Sequence, residues 1–155
     1  MKKILFICLG NICRSPMAEY IMRQIAKENG LSISVSSAGT SGWHNGEKMH
    51  VGTQKVLQHL GIDSSDFRSS QVPDNAWETF DYLIVMDKQN LVDMEKRFFR
   101  QPEKLLIITD LLPKDYGYDH VPDPWYTGNF DETRQIITDA CQILMQKIRD
   151  EHDKM

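Results

Sequence analysis

The sequence predicts an α/β fold: a three-layer sandwich in which a four-stranded parallel sheet carries helices on both faces. Three observations lead to this prediction. Short apolar runs alternate along the chain with longer segments whose apolar residues recur at helical spacing. Residues 4–8 are apolar without interruption, as expected for a strand buried on both faces of a parallel sheet. No linker rich in Pro, Gly or Ser divides the chain, so residues 1–155 are expected to form a single domain.

The first strand is followed by a helix, and the same alternation continues along the chain. Ser15 is predicted as the N-cap of this helix, with Pro16 in its first turn, and Asn29-Gly30 would end it. Two long irregular stretches, residues 39–52 and 113–128, are expected to build a site at the carboxyl ends of the strands. The remaining predicted elements are a strand over 33–36, a helix over 53–60, a strand over 82–86, a helix over 89–98, a strand over 105–108 and a long helix around 136–148.

Charge and composition argue against several classes of partner. The 18 basic and 22 acidic residues give a formal net charge of -4 without long blocks of one sign, so neither nucleic acid nor membrane is expected as a partner. The N-terminal apolar run reaches Gly10 too early for a signal-peptide core or a membrane span. The three cysteines form no disulfide framework, which favours reduced thiols and a cytoplasmic location. The five histidines are scattered, so no metal and no cofactor are expected.

The most specific signal is a loop between the first strand and the first helix. Its backbone N–H groups and the N-terminus of the helix can wrap around an anion, which predicts a phosphate-binding loop after the first strand. Arg14 can hold two phosphate oxygens with its planar guanidinium, and Cys8 faces the same cradle as a stabilised thiolate nucleophile. Gly10 permits close backbone approach, and Asn11 tolerates left-handed geometry. The residues expected to surround the phosphate are Leu9, Gly10, Asn11, Ile12, Cys13, Arg14 and Ser15.

This loop resembles the C-x5-R-S signature of the low-molecular-weight protein tyrosine phosphatases, in that family's own form. The match includes Gly10, Asn11, Cys13 and Pro16. The resemblance extends over nearly the whole chain. Further matching segments are Met17-Ala18-Glu19, Ser37-Ala38-Gly39-Thr40, Phe80-Asp81, Met86-Asp87 and Val121-Pro122-Asp123-Pro124-Trp125-Tyr126.

The resemblance implies hydrolysis of phosphotyrosine in proteins, and of small aryl phosphates, through a phosphocysteine at Cys8, with inorganic phosphate as product. It also implies that Arg14 binds phosphate, that Ser15 assists the thiolate and that Asp123 is the general acid. The hydrolysis of an aryl phosphate itself requires such an acid, because a phenolate leaves far more easily when it is protonated as it departs. The enzyme is expected to be a monomer with at most weak self-association. By their correspondence to family positions, the residues expected to form the pocket wall are Trp43, Trp125 and Tyr126.

Several of these residues also have ordinary structural interpretations. Cys13 is equally well explained by loop packing and by a redox role that the resemblance implies, in which it traps oxidised Cys8 as a disulfide. Asp123 taken alone would be a turn residue before proline. Trp43 is explained equally well as a loop anchor and as a substrate contact. Asp87 is expected to cap the next helix rather than to act in catalysis.

Three segments depart from the family pattern. Trp125-Tyr126 replaces a common tyrosine pair, which leaves Tyr126 as the one candidate phosphorylation site there. His50-Val51-Gly52 replaces an Asp-Pro-Arg run, so the start of the second helix is expected to differ. Residues 66–70 replace a stretch rich in His or Arg that often supports the loop, and the sequence does not indicate what braces Asn11 instead.

Three other functions stay open on the sequence alone. Arsenate reductase on the same scaffold needs relay cysteines, and residues 64–100 contain no cysteine pair. Phosphoarginine hydrolysis is performed by a related branch that has Thr at the position of Ile12, whose bulkier apolar side chain favours an aryl phosphate. A non-catalytic phosphotyrosine-binding module would not require Cys8 together with Asp123.

Overall fold

Four parallel strands form one sheet, in the order β2-β1-β3-β4. The computed structural model describes residues 1–98 and 103–154. β1 lies between β2 and β3 and pairs in parallel with both, which confirms the predicted parallel sheet. The strands are β1 (Lys2–Cys8), β2 (Ile33–Gly39), β3 (Tyr82–Val85) and β4 (Leu105–Ile107).

Helices follow or precede each strand along the chain. The two longest, α1 and α6, have 15 and 24 residues and pack against each other. No helix within the described segments is both long and apolar enough to cross a membrane. The helices are α1 (Arg14–Glu28), α2 (Val51–His59), α3 (Ala76–Thr79), α4 (Lys88–Phe98), α5 (Pro124–Thr127) and α6 (Phe130–Asp153), with short 3-10 turns at Ile108–Leu111 and Lys114–Tyr116.

Helices cover both faces of the sheet, as the uninterrupted apolar run of the first strand predicts. Ile4 and Phe6 of β1 belong to a core layer shared with α1 and α6. Leu5 and Ile7 point to the opposite side and belong to a second layer shared with α3 and α4. None of the four side chains is more than 2% exposed. Burial on both faces therefore fixes β1 in the middle of the molecule.

The candidate site lies at the carboxyl end of β1. The chain leaves the sheet at Cys8, and the neighbouring strands β2 and β3 lie on opposite sides of β1. In open parallel sheets the crevice at such a reversal of strand order is the usual place for a ligand. The fold therefore puts the predicted phosphate-binding loop at this crevice.

The prediction that Ser15 caps the first helix is wrong. α1 begins at Arg14, and at the N-cap position, Cys13, no side chain accepts a hydrogen bond from the helix. The Ser15 hydroxyl is bonded to Cys8 and Asn11 instead. A serine before a helix is usually a cap, but here the loop uses its hydroxyl for another purpose.

Two element ends near the site also differ from the prediction. β2 continues to Gly39, past its predicted end, because pairing with β1 runs as far as Cys8 opposite Gly39. α2 begins at Val51, two residues early, because His50 Nδ1 accepts a hydrogen bond from the Gly52 N–H. Histidine is not among the residues that usually cap helices, so a start at Val51 could not be predicted from residue type.

The remaining differences are small. β3 and β4 each end one residue before the predicted end, and α4 begins one residue early, at Lys88. The short helices α3 and α5 were not predicted, because four residues carry no helical periodicity. The stretch 113–128 is therefore not wholly irregular, since it holds α5 and a 3-10 turn.

Candidate active site

The first half of the phosphate-binding loop is tied to the segment that follows β2. The carbonyl oxygen of Cys8 accepts a hydrogen bond from the Thr40 N–H at 2.9 Å. The carbonyl oxygen of Leu9 accepts from both the N–H and the hydroxyl of Ser41, each at 3.0 Å. A side chain at Gly39 would lie 2.8 Å from the Leu9 oxygen, so only glycine allows this close approach.

The second half of the loop is tied to the start of α2. The carbonyl oxygen of Ile12 accepts a hydrogen bond from the His50 N–H at 2.8 Å. The carbonyl oxygen of Cys13 accepts from the hydroxyl of the buried Thr53 at 3.1 Å. These contacts hold the carbonyl groups of the loop, while the predicted role of its backbone N–H groups is to bind an anion.

Asn11 braces the loop from behind. It is fully buried and has a left-handed φ of 56°, a geometry that asparagine tolerates. Its Nδ2 donates to Ser15 Oγ at 2.8 Å and to Ser37 Oγ at 3.0 Å. Its Oδ1 accepts from the Ser70 N–H at 3.0 Å, and its carbonyl oxygen accepts from Ser69 Oγ at 2.6 Å. The pair Ser69-Ser70 therefore supports the loop at the point where the sequence left its support unexplained.

Cys8 ends β1 with its sulfur inside this network. The residue is 3% exposed, and its Sγ lies 3.0 Å from Ser15 Oγ. Ser15 Oγ accepts a hydrogen bond from Asn11, and its own proton can go to the sulfur at 3.0 Å or to the more distant Ala38 carbonyl oxygen at 3.5 Å. The hydroxyl can therefore donate to a thiolate at Cys8, as the resemblance implies.

The network continues away from the sulfur to a buried carboxylate. Ser37 Oγ accepts from Asn11 and donates to Glu19 Oε1 at 2.5 Å. Glu19 is 5% exposed and pairs with Arg23 through Nη2 at 2.5 Å. Burial raises the pKa of Glu19, against the hydrogen bond from Ser37 and the charge of Arg23. The Asn11 amide thus orients two hydroxyls, one towards the sulfur and one towards this carboxylate.

Arg14 is held from one side and is free to meet a ligand on the other. It is 3% exposed, and its Nη1 donates to Asp87 Oδ2 at 2.7 Å and to the Val121 carbonyl oxygen at 2.9 Å. Its Nη2 makes only a long contact of 3.4 Å to Asp123 Oδ2. Burial disfavours its charge, but the negative groups at Cys8, Asp123 and Asp87 outweigh burial and raise the pKa of Arg14. The guanidinium therefore stays charged.

Two carboxylates position elements around Arg14. Asp87 Oδ1 accepts from the Asn90 N–H at 2.8 Å, so Asp87 caps α4 as predicted while its other oxygen holds Arg14. Asp123 is the N-cap of α5, and its Oδ1 accepts from the Trp125 N–H at 3.0 Å. Its side chain is 23% exposed and turns its second oxygen towards Arg14. Asp123 thus has one oxygen fixed by its helix and one directed into the site.

One cavity of about 210 Å³ brings most of the predicted residues together. Aromatic side chains form its mouth: Trp43 is 74% exposed, Trp125 55% and Tyr126 79%. A phosphorylated ring could lie between them and still reach the loop at the bottom. The residues that line the cavity are Cys8, Leu9, Gly10, Ile12, Cys13, Arg14, Trp43, His44, Asp123, Trp125 and Tyr126.

The positions of three residues relative to the cavity differ from the prediction. Asn11 and Ser15 are not among the residues that line the cavity, because both are fully buried behind the loop. His44 lines the cavity although the sequence did not point to it. Its ring covers Gly10, where a side chain would come within 2.9 Å of His44 Cδ2. The signal for His44 was its position next to Trp43, which was predicted.

Burial disfavours the thiolate form of the other two cysteines. Cys13 lines the cavity but is 4% exposed. Burial, with added repulsion from Cys8 and Asp123, raises the pKa of the Cys13 thiol to about 12. Cys141 is fully buried in the core, and burial raises its pKa as well. Among residues 1–98 and 103–154, no group of three or more His, Cys, Asp or Glu side chains is arranged to hold a metal ion.

Comparison with known proteins finds relatives that are named as phosphatases. YfkJ of Bacillus subtilis, named a low molecular weight protein-tyrosine-phosphatase, is 41% identical over 154 residues, which cover 97% of this chain and 98% of YfkJ. Its crystal structure has a TM-score of 0.93 and covers 97% of this chain and 96% of its own. PtpA of Staphylococcus epidermidis, with the same type of name, is 41% identical over 96% of this chain and 94% of its own. A structure titled drosophila arginine phosphatase is 25% identical, with a TM-score of 0.84, and covers 96% of this chain and 98% of its own.

A family model extends over almost the full length of the chain. The model described as low molecular weight phosphotyrosine protein phosphatase matches residues 3–154. This match includes β1 from Lys3 onwards, the phosphate-binding loop and the segment around Asp123. The resemblance that the loop motif first indicated is thereby confirmed. The chain belongs to the low molecular weight phosphotyrosine protein phosphatase family.

Proposed function

We propose that this chain hydrolyses phosphotyrosine in proteins, and small aryl phosphates, in two steps through a phosphocysteine at Cys8. One observation carries the proposal. The Cys8 sulfur, the Arg14 guanidinium and the Asp123 carboxylate line one cavity with an aromatic mouth. A nucleophile, a phosphate-binding cation and a proton donor are the groups that this reaction requires.

Binding would begin with the phosphate group at the bottom of the cavity. Its oxygens would accept hydrogen bonds from the loop N–H groups and from the edge of Arg14 that Asp87 and Val121 leave unoccupied. The long Nη2 contact to Asp123 would give way to a phosphate oxygen. This exchange frees the Asp123 oxygen to face the ester oxygen of the substrate.

In the first step the Cys8 thiolate attacks phosphorus, and the bond between phosphorus and the phenol oxygen breaks. Asp123 gives its proton, which can come from the substrate monoanion, to the departing oxygen. In the second step a water molecule attacks the phosphocysteine, and the Asp123 carboxylate accepts the proton of that water. The sulfur–phosphorus bond breaks, so that inorganic phosphate leaves and the thiolate is restored, with the Ser15 hydroxyl and Arg14 stabilising it.

An aryl phosphate is the substrate class that the cavity supports best. Trp43, Trp125 and Tyr126 offer ring faces on which a phosphorylated ring can pack. Ile12, in the lining, adds an apolar surface beside the loop. Phosphoarginine is the second candidate, because a structure titled arginine phosphatase shares this fold at 25% identity. Since the first step needs Cys8 as a free thiolate, we propose that the enzyme works in the reducing cytoplasm.

The experiment is a side-by-side assay of a phosphotyrosine peptide, a phosphoarginine peptide and arsenate with a thiol reductant. The wild-type chain is expected to release phosphate fastest from phosphotyrosine and to leave arsenate unchanged. Cys8→Ser is expected to keep the fold and to lose activity below detection, since the hydroxyl is a far weaker nucleophile. Hydrolysis that survives in Cys8→Ser would contradict the mechanism, and faster release from phosphoarginine would overturn the substrate class.

A further inference from the structure

His50 contacts four separate parts of the site. Its backbone N–H donates to the Ile12 carbonyl oxygen of the phosphate-binding loop at 2.8 Å. Its Nδ1 accepts from the Gly52 N–H at 2.9 Å and so caps α2. Its ring meets the Trp125 ring edge to face, with centroids 5.6 Å apart and planes at 79°. The ring also stacks on Phe130 at 5.0 Å and 24°.

We propose that His50 is a positioning residue for the general acid, whose ring holds Trp125, and with it Asp123, in place over the phosphate-binding loop. The inference rests on the proposed function, in which Asp123 protonates the leaving group. It concerns the residue that caps α2 and that also contacts the loop and the segment of the acid.

Asp123 is anchored differently on its two sides: Val121, before it, donates its N–H to the Met86 carbonyl oxygen and accepts from Arg14, whereas the segment after it is the short helix α5. The Asp123 carboxylate is bonded directly to the Trp125 N–H, so a shift of Trp125 moves the acid. Both residues belong to the start of α5, which has only four residues. A helix this short has no stability of its own, because nucleation costs more than a single turn returns. On the side of α5, the position of the acid therefore depends on side-chain contacts such as that between His50 and Trp125.

The ring of His50 is itself fixed from two sides. The hydrogen bond from Gly52 to Nδ1 sets the plane of the ring. Phe130, the first residue of the long helix α6, stacks on the ring. Phe130 can lie there only because residue 52 is glycine: a side chain at Gly52 would come within 2.5 Å of the Phe130 ring. The acid is thus connected through His50 and Phe130 to the core of the molecule.

Two substitutions at residue 50 separate the effect of the helix cap from the effect of the ring contact. His50→Asn keeps an acceptor for the Gly52 N–H but removes the ring, whereas His50→Phe keeps a ring and removes the acceptor. His59→Asn, an exposed position at the other end of α2, is the matched control. The readout is kcat/KM for phenyl phosphate, whose leaving group needs protonation, divided by kcat/KM for p-nitrophenyl phosphate, whose leaving group needs little. A loss of folded protein lowers both values equally and leaves this ratio unchanged.

In His50→Asn the ratio is expected to fall about ten-fold. A full 1 Å misplacement of a reacting group can cost ~10²-fold, and loss of one ring contact should displace the acid by less than that. In His50→Phe the ratio is expected to stay within about two-fold of wild type, while the thermal unfolding midpoint falls by roughly 3 °C through loss of the cap. Gly52→Ala, which displaces Phe130, is expected to lower the ratio in the same direction. If His50→Asn does not fold, the ratio measured in Gly52→Ala tests the inference in its place.

An unchanged ratio in His50→Asn, or in Gly52→Ala where His50→Asn does not fold, would overturn the inference. Failure of the proposed function looks different. In that case the wild-type chain would hydrolyse neither ester, or Cys8→Ser would remain active. If wild type is active, Cys8→Ser is inactive and the ratio does not move, only the positioning role of His50 is refuted.

Discussion

The bottom of the cavity is buried and hydrogen-bonded, whereas its mouth is exposed and held by a few ring contacts. Asn11, Arg14 and Ser15 at the bottom are at most 3% exposed, and each makes at least one side-chain hydrogen bond of 2.7–3.0 Å. Trp43 and Tyr126 at the mouth are 74% and 79% exposed. Phosphoryl transfer requires donors in fixed positions, because preorganised dipoles stabilise the transition state without reorganisation. The mouth has to admit and release a bulky phosphoprotein, so exposed side chains suit it.

The comparison separates two properties of the enzyme within one site. Changes at the bottom should damage turnover of every phosphate ester to the same extent. Changes at the mouth should depend on the leaving group or on the size of the substrate. The following substitutions test this separation, in order of decreasing effect.

Arg14→Lys should have the largest effect. Lysine keeps the charge but cannot bond Asp87 and Val121 on one side while it binds phosphate with the other. We expect kcat/KM to fall about 10³-fold, a typical loss for a donor aimed at the transition state. The fall should be equal for p-nitrophenyl phosphate and a phosphotyrosine peptide, measured by steady-state kinetics. A fall confined to the peptide would place Arg14 in substrate recognition rather than in the chemistry.

Asp123→Asn should come next. Asparagine retains an oxygen that can accept from the Trp125 N–H, so the cap of α5 survives while the acid is lost. We expect kcat/KM for phenyl phosphate to fall about 10²-fold, with a much smaller fall for p-nitrophenyl phosphate. Equal losses for the two esters would show that Asp123 acts on binding and not on proton transfer.

Asn11→Ala and Asn11→Gly form a matched pair at the bottom. Both remove the hydrogen bonds to Ser15 and Ser37, but only alanine is strained at a φ of 56°. We expect both variants to lose about ten-fold in kcat/KM for every ester, since one member of a network that orients the nucleophile is missing. Alanine should be less stable than glycine by a further ~1 kcal/mol in denaturant unfolding. Equal stability of the two variants would contradict the strained geometry at this position.

Trp43→Leu should have the smallest effect. The side chain is mostly exposed, and it forms part of the mouth only. We expect KM for a phosphotyrosine peptide to rise about five-fold, in line with ~1 kcal/mol for one aromatic contact, while kcat changes little. Inorganic phosphate should inhibit the variant as it inhibits wild type. A loss in kcat instead would mean that the mouth also shapes the chemistry.

Much of the fold could be predicted because its signals are local. The apolar run of β1, the helical spacing in α1 and α6 and the glycine that follows α1 all act within a few residues. The ends of β2 and α2 could not be predicted, because they depend on partners far away in sequence. β2 reaches Gly39 through pairing with Cys8, and α2 starts early through the His50 side chain.

The same contrast holds for the candidate site. The loop residues and Asp123 were predicted through a motif, and the structure places Cys8, Arg14 and Asp123 along one cavity. Their chemical roles stay predictions, as does the redox role of Cys13. The support of Asn11 by Ser69 and Ser70 was not predicted, because hydroxyl and backbone partners carry no sequence pattern of their own. His50 was noticed only as a departure from the family pattern, and its contacts appear only in three dimensions.

Direct trapping of the intermediate tests the central claim, that Cys8 carries the phosphoryl group during turnover. Asp123→Asn should still be phosphorylated by p-nitrophenyl phosphate, because nitrophenolate leaves without an acid, but should lose the base that activates water. Rapid quenching and mass spectrometry should then find one phosphoryl group on the peptide that contains Cys8, together with a burst of about one nitrophenolate per enzyme. Turnover with no phosphoryl group on Cys8, or with the group on another residue, would contradict the account.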